Sequence, residues 1–251
     1  SPLTLDVSNI TQGYFVAQSD SADLVTSLQI TAPTGVLYAY FIDPGENAVI
    51  PFTEGNGDYT VVGYQQIQGD QYAALYSEIL TVELENDFFQ FLYPNQYVNF
   101  TPDSKASQLA LSLIDEDTVD VDALQQIYDY VVSNLTYDYE KADTVTTGYL
   151  PDVDETLKTG TGICFDYAAL TTAMLRSCDI PCKLQIGYAG DIKHAWIDVY
   201  IRSKGWVNQA VSFKGDTWTL MDPTFDSNSD DKEAIQDYIG DESNYTVQFT
   251  R

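Results

Sequence analysis

Positive charge is what this chain lacks most: 11 Lys and Arg stand against 38 Asp and Glu, a formal net charge of −27. A protein that tracks phosphates needs clustered Lys and Arg. Nucleic-acid binding and adhesion to anionic lipid are therefore excluded, while lysine-rich partners are favoured by long-range attraction. Uninterrupted apolar runs of about 18 residues are also missing, which rules out a helical membrane span. Three cysteines are too few for a disulfide framework, and their odd number leaves at least one thiol free. Histidine is scarcer still, with one in the whole chain, His194. What is left, 44% hydrophobic and 20% charged residues, is ordinary globular composition and argues against disorder. The length of 251 residues fits one compact unit or two unequal ones, and no internal repeat is visible.

The missing bases also divide the chain. Residues 1–104 contain no Lys or Arg, and Lys105 is the first. A break this sharp beside the turn Thr101-Pro102-Asp103-Ser104 predicts a domain boundary, with domains at 1–104 and 105–251. The first part reads as strands. Gly13–Val16, Val25–Ile30, Val36–Ile42, Tyr59–Tyr64 and Leu80–Leu84 are rich in β-branched and aromatic residues. Turn clusters such as Asp43-Pro44-Gly45 and Gly55-Asn56-Gly57-Asp58 separate them, which predicts an Ig-like β-sandwich. After residue 104 the period becomes helical, over Ala106–Ile114, Asp122–Leu135 and Phe165–Cys178. Strands follow at Lys183–Tyr188, Ala195–Ile201, Trp206–Ala210 and Trp218–Met221. The fold class is α+β.

Three short segments carry chemistry. In Gly160-Thr161-Gly162-Ile163-Cys164-Phe165-Asp166, glycines lead into a helix whose first turn holds a cysteine. Unpaired N–H groups and the helix dipole at that end stabilise a thiolate, although a core cysteine fits the same pattern. In Lys193–Ile201, strand alternation puts His194, Trp196, Asp198 and Tyr200 on one face and Ala195, Ile197, Val199 and Ile201 on the other. The apolar face is expected to pack on the core, leaving His194 to point elsewhere. The third segment, Thr219–Thr224, ends a strand with Asp222 before proline, a position also suited to a turn cap. Together, a cysteine, a histidine and an acid are what a thiol acyl-transfer triad requires. With one histidine in the chain, any such mechanism must use His194.

Metal chemistry fits the sequence less well. Cys164 and Cys178 sit at the two ends of a predicted helix, about 21 Å apart at ~1.5 Å per residue, and no CxxC pair exists for zinc. Asp115-Glu116-Asp117 and Ser229-Asp230-Asp231 lack the pattern of a calcium loop and read as solvated surface. Cys178 and Cys182 are expected to be buried free thiols, with a local disulfide as the second choice.

The segments Gly162–Ala168, Gly187-Tyr188, His194-Ala195-Trp196 and Met221–Thr224 resemble, in order and spacing, the core of the transglutaminase-like superfamily. Arg176–Pro181 fits the same pattern, and the likeness spans about residues 105–226. The β-rich first part resembles, more loosely, accessory domains of bacterial members. The resemblance implies a papain-like fold with Cys164 as nucleophile, His194 as base and Asp222 as orienting acid. It places Tyr137 near the site, as an oxyanion donor or packing residue; Trp196 itself reads as a cleft wall or core residue. The family includes cross-linkers, peptidases, glycan-amidases and inactive members. The expected function is a cysteine peptidase or amidase working through a Cys164 thioester, without a cofactor, on a protein or peptide substrate. The alternatives are a protein-glutamine transglutaminase and a non-enzymatic surface module with a vestigial triad. Acidity, few cysteines and the β-domain suggest an extracellular or cell-surface, secreted protein. The start at Ser1-Pro2, with no signal peptide, reads as a processed or trimmed chain.

Overall fold

The computed structural model describes residues 2–189, 192–214, 217–220 and 245–251. The chain divides into two compact units, Ser1–Gln96 and Tyr97–Arg251. The division falls ahead of the composition break at residue 104. Val98 and Phe100 are buried in the core of the second unit, beside Ala106 and Ala110, and this packing holds their segment there.

The first unit is an antiparallel β-sandwich. One sheet has β1 (Leu3–Asp6), β2 (Tyr14–Ser19) and β5 (Asn47–Pro51) in the order β1-β2-β5. The other has β3 (Thr26–Thr31), β4 (Leu37–Ile42), β6 (Gly57–Gln68) and β7 (Gln71–Val82) in the order β4-β3-β6-β7. Alternate residues point inward as the two-residue period requires: Phe15, Ala17, Ile50, Leu28, Ile30, Tyr40 and Val61 are buried. Phe52 meets Tyr59 edge-on at 4.8 Å between ring centroids. Two strands escaped the sequence pattern. β1 lies beside the chain start, and β5 lacks an aromatic run.

In the second unit, α1 (Lys105–Leu113), α2 (Asp120–Asn134) and α4 (Val153–Thr159) pack on one side of α5 (Cys164–Ser177). The sheet packs on the other, and every residue of α5 from Asp166 to Arg176 is buried. A helix covered on all sides loses its amphipathic stripe and becomes the rigid centre of the unit. Acidic residues serve as helix caps. The Asp154 carboxylate accepts from the N–H groups of Lys105 and Ala106, each at 3.0 Å, at the start of α1. Asp152 caps α4 at 2.9 Å through the Glu155 N–H. Each such cap stabilises its helix by about 1 kcal/mol.

The sheet orders β13 (Thr217–Leu220), β12 (Gly205–Lys214), β11 (Ile192–Ile201), β10 (Cys182–Ala189) and β14 (Tyr245–Thr250), all antiparallel. β14, far along the chain, returns to pair with β10. Gly187 lies between β11 and β14, where an added Cβ would overlap the Thr246 carbonyl oxygen and come within 2.9 Å of Trp196 Cη2. Gly187→Ala is expected to cost about 2–3 kcal/mol, since the obstacle is backbone. Scanning calorimetry should show a melting temperature lower by roughly 5–10 °C. An unchanged transition would contradict the β10–β14 pairing. Among the described residues no helix is long and apolar enough to cross a membrane.

Candidate active site

The chain is brought to Cys164 by two short strands. β8 (Thr136–Tyr137) runs parallel to β9 (Thr161–Gly162), with Tyr137 opposite Gly162. The Asp138 N–H donates to the Gly162 carbonyl at 3.0 Å. α4 ends at Gly160 in the left-handed region, φ 64°, which turns the chain into β9. Ile163 then caps α5, and Cys164 is its first residue. Gly162 is required by what lies against it: a Cβ there would fall 2.7 Å from the Asp166 Cβ.

Cys164 Sγ lies where the α5 N-terminus meets β11, near the backbone N–H groups of Phe165 and Ala195. These donors and the nearby Lys193 favour the thiolate, but burial outweighs them and, with Asp166, raises the thiol above its ordinary pKa. The helix end thus does not by itself ionise this cysteine, contrary to the simplest expectation from position. A base must take the proton. The other two thiols are held more firmly as SH: burial pushes Cys178 up to about 11 and Cys182 up to about 12. All three cysteines are free. Cys178 is half-buried, and Cys182 sits 3.5 Å from the Thr172 hydroxyl in the core.

β11 carries His194 in its backbone register opposite Gly187 and directly before Ala195, whose N–H reaches Cys164. Asp222 lies outside the described residues, two positions after β13. Tyr137, half-buried, enters the site through its pairing with Gly162 and packs edge-on against Tyr139 at 5.0 Å. Burial on β11 extends beyond its apolar face. Ala195, Ile197, Val199 and Ile201 are buried as predicted, but Trp196 and Asp198 on the opposite face are buried too. Trp196 packs over Gly187 and is core rather than an open cleft wall. Asp198 accepts from Gln185 Nε2 at 2.9 Å, and Gln185 accepts from the Thr250 hydroxyl at 2.7 Å. Gln185 and Thr250 thus cover Asp198 on this second face.

Sequence reasoning missed a second group beside Cys164. Asp166 is fully buried, and its carboxylate accepts from the Ile163 N–H at 2.8 Å, from Lys141 Nζ at 2.7 Å and from the Tyr149 hydroxyl. Lys141 belongs to α3 (Tyr139–Thr144), while Tyr149 lies in the segment between α3 and α4. An acid at the third helical position was a readable capping signal; Lys141 and Tyr149 had none. Among the described residues no three His, Cys, Asp or Glu side chains converge as a metal site.

Residues 107–223 match the sequence profile of the Transglutaminase-like superfamily. Over 113 residues the chain is 30% identical to the UPF0252 protein of Methanocaldococcus jannaschii, covering 42% of this chain. It spans 30% of that relative's length. Two solved structures are similar. One, described as a candidate cysteine protease of Cytophaga hutchinsonii, has 18% identity and a TM-score of 0.42, covering 82% of this chain and 79% of that one. The other, described as a candidate protease of Parabacteroides distasonis, has 20% identity and a TM-score of 0.35, covering 49% of this chain and 29% of that one. Residues 107–223, which bear Cys164 at the head of a buried helix and His194 in the adjoining strand, form a domain of the transglutaminase-like superfamily.

Proposed function

We propose that this chain is a cysteine hydrolase of amide bonds, with Cys164 as nucleophile, His194 as general base and Asp222 as the acid that orients the imidazole. The observation that carries this reading is the meeting of Cys164 Sγ with the Ala195 N–H, one residue from the single histidine. A thiol kept protonated by burial needs such a base. His194 takes the thiol proton as sulfur attacks the substrate carbonyl, and the developing oxyanion is met by backbone N–H groups at the α5 N-terminus. The proton passes to the departing amine, leaving a thioester. Water attacks that thioester with His194 again as base, and the acid is released with the thiol restored.

Hydrolysis is placed ahead of amine transfer because water is present at ~55 M, and transfer needs a site that excludes it and positions an amine. The acidic chain draws lysine-bearing substrates toward it at low ionic strength. The test supplies a glutamine-containing protein with a fluorescent primary amine while mass spectrometry follows peptide-bond cleavage. Cleavage, with an acyl adduct on Cys164 trapped by acid quench, is the expected result. Amine incorporation without cleavage would make the chain a cross-linking enzyme instead.

A further inference from the structure

We infer that Asp166, Lys141 and Tyr149 form a positioning cluster for Cys164, in which a buried carboxylate holds the nucleophile's turn, the Lys141 ammonium balances its charge and the Tyr149 hydroxyl donates a hydrogen bond to it. This rests on the proposed role of Cys164 as nucleophile. Asp166 is 0% exposed, and a buried carboxylate persists only with donors around it. It has three: the Ile163 N–H, one peptide before Cys164, the Lys141 ammonium and the Tyr149 hydroxyl. The Lys141 ammonium also lies 4.4 Å from the Tyr149 ring centroid, and that ring meets Phe165, the residue after Cys164, edge-on at 6.3 Å.

The contacts have two consequences. The Ile163–Cys164 peptide, and with it the N–H groups at the start of α5, is fixed by a charge-assisted bond. The segment bearing Tyr149 is fastened to the same carboxylate, so the loop beside the site and the nucleophile keep one register. Electrostatically, Asp166 opposes the Cys164 thiolate, and Lys141 with Tyr149 limits that opposition. The other charged groups about Cys164 are Lys193 from β11 and, by the proposed mechanism, His194 and Asp222. All three stay constant in the variants below.

A purely structural cluster and a charge-setting one differ in sign. Iodoacetamide alkylation of Cys164 is followed by peptide mapping from pH 5 to 10, with folding monitored by circular dichroism. Lys141→Met leaves the carboxylate less compensated and is expected to slow alkylation roughly tenfold at pH 7.5. Tyr149→Phe is expected to slow it roughly threefold in the same direction. Asp166→Asn keeps an acceptor for Ile163 but removes the negative charge, so alkylation below the thiol midpoint should quicken severalfold, while turnover falls. The rate at the alkaline plateau should change little in any folded variant. The double variant Lys141→Met, Asp166→Asn should return to within about twofold of the parent.

Changes of one sign in all folded variants, or none in Tyr149→Phe, would overturn the inference. If Lys141→Met or Asp166→Asn fails to fold, Tyr149→Phe, which removes one hydroxyl, decides alone. Alkylation needs no substrate, so a chain without acyl-transfer activity still answers this test. Normal turnover beside an unaltered profile would remove the cluster and leave the proposed reaction standing.

Discussion

His194→Ala is expected to reduce turnover by at least three orders of magnitude, with the fold intact by circular dichroism. The size follows from two conditions. Burial holds the Cys164 thiol above its ordinary pKa, so little thiolate exists at neutral pH without a base. The chain has a single histidine, so no second imidazole can take its place. Asp222→Asn should cost about 10⁴ in kcat if its task is to hold the imidazole tautomer. Steady-state kinetics on whichever amide substrate is cleaved, with active-site titration of Cys164, measures both. Near-normal rates in His194→Ala would end the triad assignment. A loss confined to KM would mean that His194 binds substrate rather than moving protons.

The largest stability effect is expected at Arg176. This side chain is 3% exposed, in the last turn of α5. Its Nε and Nη2 donate to the Cys182 carbonyl at 3.0 and 2.7 Å, and Nη2 also donates to the Arg251 carbonyl at 2.9 Å. Burial lowers its pKa to about 10, still well above neutral, so the cation persists. The two carbonyls lie where β10 begins and where the chain returns beside it, since Arg251 and Leu184 exchange backbone hydrogen bonds of 2.8 and 3.0 Å. Arg176 thereby ties the central helix to two neighbouring strands. Arg176→Met keeps most of the volume but strips the Cys182 carbonyl of both guanidinium donors and leaves the Arg251 carbonyl only its bond from the Leu184 N–H, at about 1–3 kcal/mol for an unsatisfied acceptor. A loss of roughly 3–4 kcal/mol is expected, seen as a fall of about 10 °C in the melting temperature of the second unit. Arg176→Lys should recover part of it, because one ammonium cannot reproduce the fork. A shift under 2 °C for Arg176→Met would show that water satisfies the carbonyls.

Much of the second unit was legible because its signals are local. α1, α2 and α5 match helical periodicity within two residues at either end, and the core of β10 and β11 matches strand composition. α3 and α4 were not anticipated. Both are short and capped by Asp138 and Asp152, and fewer than two turns leave too little periodicity to detect. β14 was missed for a different reason: its place beside β10 depends on a partner some sixty residues earlier. In the first unit, β6 and β7 extend through Gln66–Ala74, a stretch without a buried face that is shaped by hairpin pairing across Gly69-Asp70.

Local composition and spacing specified the α+β class, the place of Cys164 at a helix start and of His194 in a strand, and the order that identifies the superfamily. Each depends on the composition and spacing of neighbouring residues, which a local pattern retains. Tertiary structure alone decided the protonation of Cys164, because burial is a property of what packs around a group and here it outweighs the helix end. It also decided that Trp196 and Asp198, off the apolar face of β11, are buried, and that Lys141 and Tyr149 converge on Asp166 across 25 and 17 positions of chain. A buried carboxylate is stable only where folding gathers donors from distant segments, and no local pattern records where those donors will come from.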